Sequence, residues 1–433
     1  MKFKILLLSV FVTIGLQSQS KQSMNLKEAI HIALEQSDMS KIADVKVTTA
    51  ENEMQVAKNL LYPDAKITGQ YAYLTNANID SKLNDNSSSS GSNSSPNINQ
   101  LMFGQASVSM PLFTGFKLKN TVQASENNYK AATLNAETKK EEIALSVTQS
   151  FINLYKANQT ILLIQESLKS AKQRVKDFTS MEQNGIIARN DLLKAQIQES
   201  NIEVGLEDAK KTANILNYRL AMMLKLPENT VIDIQSDDLG KLELVNDNIS
   251  IERSDLEALD YQYKAAENQI KVAKGNYYPT IGLSGGYVAL DLKNALSVTN
   301  AMNIGVGVSY DIGSIFKNKS NVKVAKSKAK ELEYAIDVQN DAVKVEVENA
   351  RQEYQLAVKK YTVFTRSEEQ SIENYRIVQD KYNNGLADTN DLLEADVDQL
   401  QAKLNVTYAK ANITEKYYAW LKATGLLINT LEK

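Results

Sequence analysis

The residues able to do chemistry gather in few places along this chain of 433 residues. Asp388, Asp391, Glu394, Asp396 and Asp398 place five carboxylates within eleven positions. At the start of a helix such a run is favourable against the positive end of the backbone dipole. His31, the only histidine, has Ile30 and Leu34 beside it and suits a solvated or packed helix position better than a ligand role. The absence of cysteine excludes disulfides, thiolate metal sites and a thiol nucleophile. No phosphate-binding glycine loop or histidine-rich metal spacing occurs. Gly282, Gly285 and Gly286 fall in a strand pattern and suit packing or bends. No catalytic set, cofactor or metal site is therefore expected, and an exported enzyme is disfavoured. The formal charge of −3, from 49 basic and 52 acidic residues, argues against nucleic acid as a partner.

The elements that must position these groups begin with an export signal. Lys2 and Lys4 form a basic start, Ile5 to Leu16 is uncharged and apolar, and Ser18-Gln19-Ser20 offers small residues for cleavage. Residues 1–20 are predicted to be a cleavable signal, too short to span a bilayer as a helix. No other stretch is long and apolar enough for a membrane helix, and no cysteine is present to carry a lipid anchor.

The remainder is written twice. Ala50-Glu51-Asn52, Val56-Ala57-Lys58, Tyr62-Pro63, Gly69 and Tyr71 recur as Ala266-Glu267-Asn268, Val272-Ala273-Lys274, Tyr278-Pro279, Gly285 and Tyr287: 10 identities in 22 positions at an offset of 216. Asn184-Gly185, Asn190-Asp191-Leu192-Leu193 and Ala195 recur at an offset of 200, as Asn384-Gly385, Asn390-Asp391-Leu392-Leu393 and Ala395. The 16-residue difference falls where the serine-rich run from Asn86 to Pro96 lies, as an insertion at a solvated loop requires. Two copies of one unit account for the length: 21–226 and 251–433, joined by a linker at 227–250.

Each copy reads as helix, hairpin, long helix, break, helix. Between Pro111 and Pro227 lie 115 proline-free residues, and none follows Pro279. Val147, Phe151, Leu154, Asn158, Ile161, Gln165 and Leu168 alternate spacings of three and four, a coiled-coil-like seam. Helices are predicted from about Lys117 to Met181, roughly 100 Å at 1.5 Å per residue, and from about Lys317 to Tyr382. Both stop at Asn-Gly, where glycine caps a helix end. Asn190 and Asn390 are predicted N-caps of return helices that end near Leu226 and Gly425.

After Pro63 and Pro279 the period changes to two. Ile67, Gly69, Tyr71 and Tyr73 alternate with Lys66, Thr68, Gln70 and Ala72; Ala106, Val108, Met110 and Leu112 alternate with Gln105, Ser107 and Ser109. Ile281, Leu283, Gly285, Tyr287 and Ala289, then Met302, Ile304, Val306, Val308 and Tyr310, repeat the pattern. Four strands, at about 63–74, 101–114, 279–291 and 300–312 with a surface loop at 75–100, fit a membrane barrel. Four strands do not close a ring, and an open edge is not tolerated in lipid, so the barrel requires several chains.

With Tyr62-Pro63 and Tyr278-Pro279 entering strands, Pro111-Leu112-Phe113 and Gly115 leaving one, and Asn184-Gly185-Ile186 and Asn384-Gly385-Leu386 each six residues before Asp-Leu-Leu, the doubled chain resembles the TolC family of outer-membrane efflux proteins over nearly all its mature length. The resemblance implies a mainly α fold with a membrane β-barrel. A homotrimer would form a twelve-stranded barrel in outer-membrane lipid, continuous with a helical periplasmic cylinder of twelve helical strands. Residues 227–250 would form an equatorial belt. A periplasmic adaptor and an inner-membrane pump would load it with small molecules or secreted proteins.

The resemblance also assigns residues. Asp391 and Glu394 match the two carboxylates that line the family's periplasmic entrance, three residues apart and so on one helix face. Three-fold symmetry would make them six, a ring that attracts cations. Asp191 and Tyr382 match partners in the latch that closes the entrance. The latch arginine has no counterpart, since Ala387 stands there, and Arg189 is nearby but offset. Gly185, Ile186, Gly385 and Leu386 match the tip residues that dock the adaptor. The competing expectation is an exported coiled-coil scaffold or a periplasmic adaptor without a pore; a scaffold would lack four lipid-compatible strands, and an adaptor would lack the doubled layout.

Overall fold

The computed structural model describes residues 21–77, 98–235, 239–240, 250–293 and 296–431. The expected export signal, most of the surface loop at 75–100 and much of the linker at 227–250 lie outside the described residues. In chain order the elements are β1 (Lys21–Met24), α1 (Leu26–Gln36), α2 (Asp38–Asn59), β2 (Asp64–Ala77), β3 (Ile98–Phe113), α3 (Lys117–Gln183) and α4 (Arg189–Met223). There follow β4 (Val231–Ile234), α5 (Ser254–Gly275), β5 (Thr280–Leu292), β6 (Leu296–Ser309), α6 (Ile312–Asn383), α7 (Thr389–Thr424) and α8 (Leu427–Leu431). Helix, hairpin, long helix and return helix occur twice, as the repeat predicts.

The chain divides into two compact units that cut across the repeats. One takes Val45–Asn135 and Asp255–Gln339; the other takes Met1–Asp44, Ala136–Ser254 and Asn340–Lys433. In the first unit β2, β3, β5 and β6 form one antiparallel sheet in that order. The register pairs Ile67 with Ala106, Tyr71 with Met102, Val108 with Gly285 and Ala106 with Tyr287. It pairs Leu283 with Val306, Gly285 with Ile304 and Tyr287 with Met302. Directly paired residues share a face, so the four apolar rows form one continuous apolar face. Thr68, Gln105, Ser107, Ser284 and Asn303 lie on the other. Ile67, Met302 and Ile304 are more than three-quarters exposed. No helix among the described residues is long and apolar enough to cross a membrane.

The last strand ends three residues earlier than its periodicity suggests, because Ile312 already opens α6. In the first copy Gly115 and Phe116 both adopt positive φ, which breaks the chain between β3 and α3. No described residue from 309 to 316 does so, and α6 starts five residues before the predicted Lys317. Gly115 has φ +64°, and a Cβ there would overlap the Gly275 carbonyl oxygen and lie 2.9 Å from Tyr278 Cβ. Phe116 packs edge-on against Phe113 and Tyr278 at 5.2 and 6.2 Å. Gly115→Ala therefore combines a disfavoured left-handed backbone, about 1–2 kcal/mol, with a backbone collision. We expect it to lower the thermal midpoint of the purified protein sharply, whereas Gly69→Ala, with nothing within 4 Å, should shift it little.

In the second unit the core gathers Ile30, Val147, Phe151, Leu154, Leu220 and Leu427, drawn from four helices. The predicted seam is buried at Val147, Phe151, Leu154 and Leu168. Asn158 and Ile161 are half-buried, and Gln165 is exposed. The short strand β1 pairs in parallel with β4, an element inside the predicted linker that no sequence pattern marked. Burial of Met24 and Ile232 holds that pair against the helices. His31 is exposed, with Nδ1 3.6 Å from the Glu35 carboxylate, the solvated helix position expected of it.

Candidate functional site at the helical tips

The two tips are built alike. At the end of α3 the Gly185 N–H donates to the Glu182 carbonyl and the Ile186 N–H to the Met181 carbonyl, both at 2.9 Å. At the end of α6 Gly385 donates to Tyr382 at 3.0 Å and Leu386 to Lys381 at 2.8 Å. Paired bonds of this kind, with glycine left-handed at φ +70° and +74°, are Schellman caps. They turn Ile186 and Leu386 outward, 66% and 78% exposed. Each tip thus presents one apolar side chain to water.

The return helices start differently. Neither Asn190 nor Asn390 is an N-cap; both lie inside the first turn. Ala188 occupies the N-cap of α4 without a side-chain bond. Asp388 caps α7, its carboxylate accepting from the Asn390 and Asp391 N–H groups at 2.7 and 3.0 Å. Asp391 completes a capping box by accepting from the Asp388 N–H at 3.1 Å. The short side chain two to three residues upstream of the free N–H groups makes these bonds; Asn390 would have to reach back into its own turn.

The five carboxylates separate by face. Asp391, Glu394 and Asp398 are not buried, lying at or near the surface. Asp396 is buried and pairs with Arg174 of α3 at 2.9 Å, the two side chains only 9% and 8% exposed. Arg174 also donates to the Tyr375 hydroxyl of α6 at 3.2 Å. Burial alone would loosen the Arg174 proton, but its bond to Asp396 and the charge of that carboxylate outweigh burial and raise its pKa. Sequence reasoning passed over Arg174. Its trace is a cation on the buried stripe of Leu168, Ala171 and Phe178.

A cleft of about 1100 Å³ between the tips brings together Ile186, Asp191, Tyr382 and Gly385, with Asp388, Arg174 and Phe178. Gly185, Leu386, Asp391 and Glu394 lie outside its lining. Within the cleft Tyr382 stacks on Phe178, ring centroids 5.7 Å apart, and its buried hydroxyl has no hydrogen-bond partner. Asp191 lies 3.8 Å from Lys194, one turn along its own helix. Arg189 reaches Glu182 of its own hairpin at 3.5 Å and stays 75% exposed. Within one chain it does not cross to the second tip. No group of three metal-capable side chains occurs among the described residues.

Comparison with known proteins places this arrangement. The profile of the outer membrane efflux protein family matches residues 29–224 and 246–426. Toxin and drug export protein A of Aggregatibacter actinomycetemcomitans is 24% identical over 331 residues, covering 72% of this chain and 70% of its own. Outer membrane efflux protein BepC of Brucella suis biovar 1 is 23% identical over 325 residues, with 72% and 70% covered. The CmeC outer membrane channel of Campylobacter jejuni superposes with a TM-score of 0.77 at 18% identity, over 93% of this chain and 86% of that one. A doubled chain of long helices and strands, matched across both copies by one profile, belongs to the outer membrane efflux protein family.

Proposed function

We propose that three copies of this outer-membrane efflux channel protein close one β-barrel in lipid and one helical tunnel beneath it, and that a periplasmic adaptor and an inner-membrane pump deliver cargo to its entrance. The open four-stranded sheet carries this reading. Its order leaves β2 and β6 as outer strands, and their unpaired backbone groups are not tolerated in hydrocarbon. Four antiparallel strands per chain keep the alternation when β6 of one copy pairs with β2 of the next. The continuous apolar face then meets lipid, and the face of Thr68, Ser107 and Asn303 lines the lumen.

The helices support the same assembly. Val324, Val338 and Val345 of α6 and Met39, Ile42 and Val45 of α2 are all more than half exposed in one chain. Apolar stripes of this kind suit burial against neighbouring subunits. At the entrance, Asp391 and Glu394 would supply the cation-attracting ring. Asp191 and Tyr382 would meet across the cleft when the entrance shuts, satisfying the orphaned hydroxyl. Gly185-Ile186 and Gly385-Leu386 would seat the adaptor. A pore-free scaffold or adaptor leaves the apolar sheet face unexplained. Proteins to which this chain is similar are named for toxin and drug export or for cation efflux, which supports a duct whose cargo is chosen by the pump.

The protein should fractionate with outer membrane, migrate as a heat-labile trimer and open steps of conductance in planar bilayers. Ile186→Ser with Leu386→Ser should keep the trimer and its conductance but abolish export in cells. A monomer without conductance would refute the channel assembly; undiminished export by the double variant would refute the docking role alone.

A further inference from the structure

The internal repeat relates the seam at the centre of the sheet to a seam between copies, on the channel assembly proposed for this chain. Inside one chain β3 of the first copy pairs with β5 of the second, Val108 opposite Gly285 and Pro111 opposite Gly282. Residues of β6 stand 200 positions after their counterparts in β3, and those of β2 stand 216 before theirs in β5. Carrying the observed pairs across by these offsets sets Val308 opposite the partner's Gly69, Ser309 opposite the partner's Thr68 and Val306 opposite the partner's Tyr71. The apolar face then runs unbroken from one chain to the next. Just beyond the ladder, Asp311 comes abreast of the partner's Lys66, where the seam inside the chain has Pro111 and Gly282. Both members of the pair change together, from uncharged residues to opposite charges.

The corner that would receive this charge is polar in the second copy only. Asp311 lines a cavity of about 410 Å³ with Lys117, Lys317, Asn276, Ser309 and Asn318. Neither lysine nor Asp311 forms an ion pair among the described residues. Asn318 is 2% exposed and donates to the Ala273 carbonyl at 2.6 Å. Its counterpart in the first copy is Leu118, and that of Asn276 is Leu60. A buried amide in place of a leucine costs free energy unless it is hydrogen-bonded, so the polar corner is built rather than incidental. The foot of β2 carries Asp64 and Lys66, both exposed in the single chain and 3.1 Å apart. Its carboxylate suits the two lysines, and its ammonium suits Asp311.

The apolar and polar faces alone leave this seam free to slip. A shift of one residue turns every side chain to the wrong face and is barred. A shift of two keeps the faces, and sets Asp311 opposite either Thr68 or Asp64 of the partner. Like charges directly opposite are destabilising. An exposed ion pair adds little affinity, about 0–1 kcal/mol, but charge placement rejects wrong pairings and fixes register. We propose that Asp311 and the partner's Lys66 form an ion pair between subunits, seated in the polar corner beside Lys317, that fixes the register in which the sheets of neighbouring copies join. Asp311 and Lys66 are positioning residues, acting through the strands they align.

Two experiments on the full-length protein test this. The chain has no cysteine, so pairs can be introduced cleanly. Ser309→Cys with Thr68→Cys should give covalent trimers on mild oxidation. Ser309→Cys with Gln70→Cys, and Gly307→Cys with Thr68→Cys, report the two slipped registers and should not. Directly opposed side chains lie about 5 Å apart and diagonal ones about 7–8 Å, too far for a disulfide. In the second experiment Lys66→Asp should lower by several degrees the temperature at which the trimer dissociates in detergent, and Lys66→Asp with Asp311→Lys should recover most of that loss. Preferential cross-linking of either slipped pair overturns the register. No recovery in the exchanged pair, with the 309–68 cross-link still forming, overturns the ion pair. A wild-type protein without a trimer would instead refute the channel assembly, which keeps the failures distinct.

Discussion

Ile304→Arg is expected to abolish the proposed outer-membrane trimer, while Asn303→Lys, one residue away, is expected to leave it intact. Adjacent strand residues point to opposite faces. Ile304 pairs with Gly285 in the row that continues through Val108 to Ala65, and it is 82% exposed in the single chain. Asn303 pairs with Gly286 on the polar face. A cation on the lipid face of a barrel costs about 2–4 kcal/mol at the bilayer midplane. Three-fold symmetry repeats the cost, roughly 6–12 kcal/mol per trimer, comparable with the whole stability of an ordinary domain, about 5–15 kcal/mol. A lysine at 303 would project into the watery lumen, where solvation is retained, and should alter conductance and selectivity without preventing assembly. The check is the heat-labile trimer band in outer-membrane fractions of cells expressing each variant. Equal trimer yields from the two would mean that the apolar face does not meet lipid.

The faces of the sheet were legible in the sequence because period two is a property of the strand itself: Ile67, Ala106, Leu283 and Ile304 sit in the apolar rows that their alternation predicts. The long helices and their glycine stops were legible for similarly local reasons, since Gly185 and Gly385 must adopt positive φ. What escaped depends on partners distant in sequence. The pairing of β1 with β4 joins segments some 210 residues apart, and four residues make too short a run to show a period. The N-cap of α7 was misplaced because Asn390 and Asp388 are both good capping residues, and only the backbone geometry selects Asp388; at α4 the cap falls on Ala188, whose side chain makes no capping bond to signal it. The acidic run looked uniform, yet 3.6 residues per turn carries Asp391 and Glu394 toward water and Asp396 to the interior. Its cation, Arg174, lies 222 residues away, and no rule of local spacing connects them.

The outward carboxylates of that run carry the other large effect. Asp391→Asn with Glu394→Gln should bring the cation-to-anion permeability ratio down from roughly tenfold or more, the enrichment a single-signed constriction can produce, toward unity. Asp391 also serves the capping box, accepting from the Asp388 N–H at 3.1 Å. An asparagine amide oxygen can accept the same bond, and Asp388 still caps the Asn390 and Asp391 N–H groups, so the helix start should survive while the charge is lost. In the proposed trimer the double variant would remove six charges from the entrance, without touching the buried Arg174–Asp396 pair. Ionic strength provides the decisive control. The screening length is about 10 Å at 0.1 M salt and about 3 Å at 1 M, so wild-type selectivity should fade toward that of the variant as salt rises. Reversal potentials measured across a salt gradient give the ratio directly. If the two proteins have the same reversal potential at low salt, Asp391 and Glu394 do not face the ion path, and α7 must present another face to the lumen.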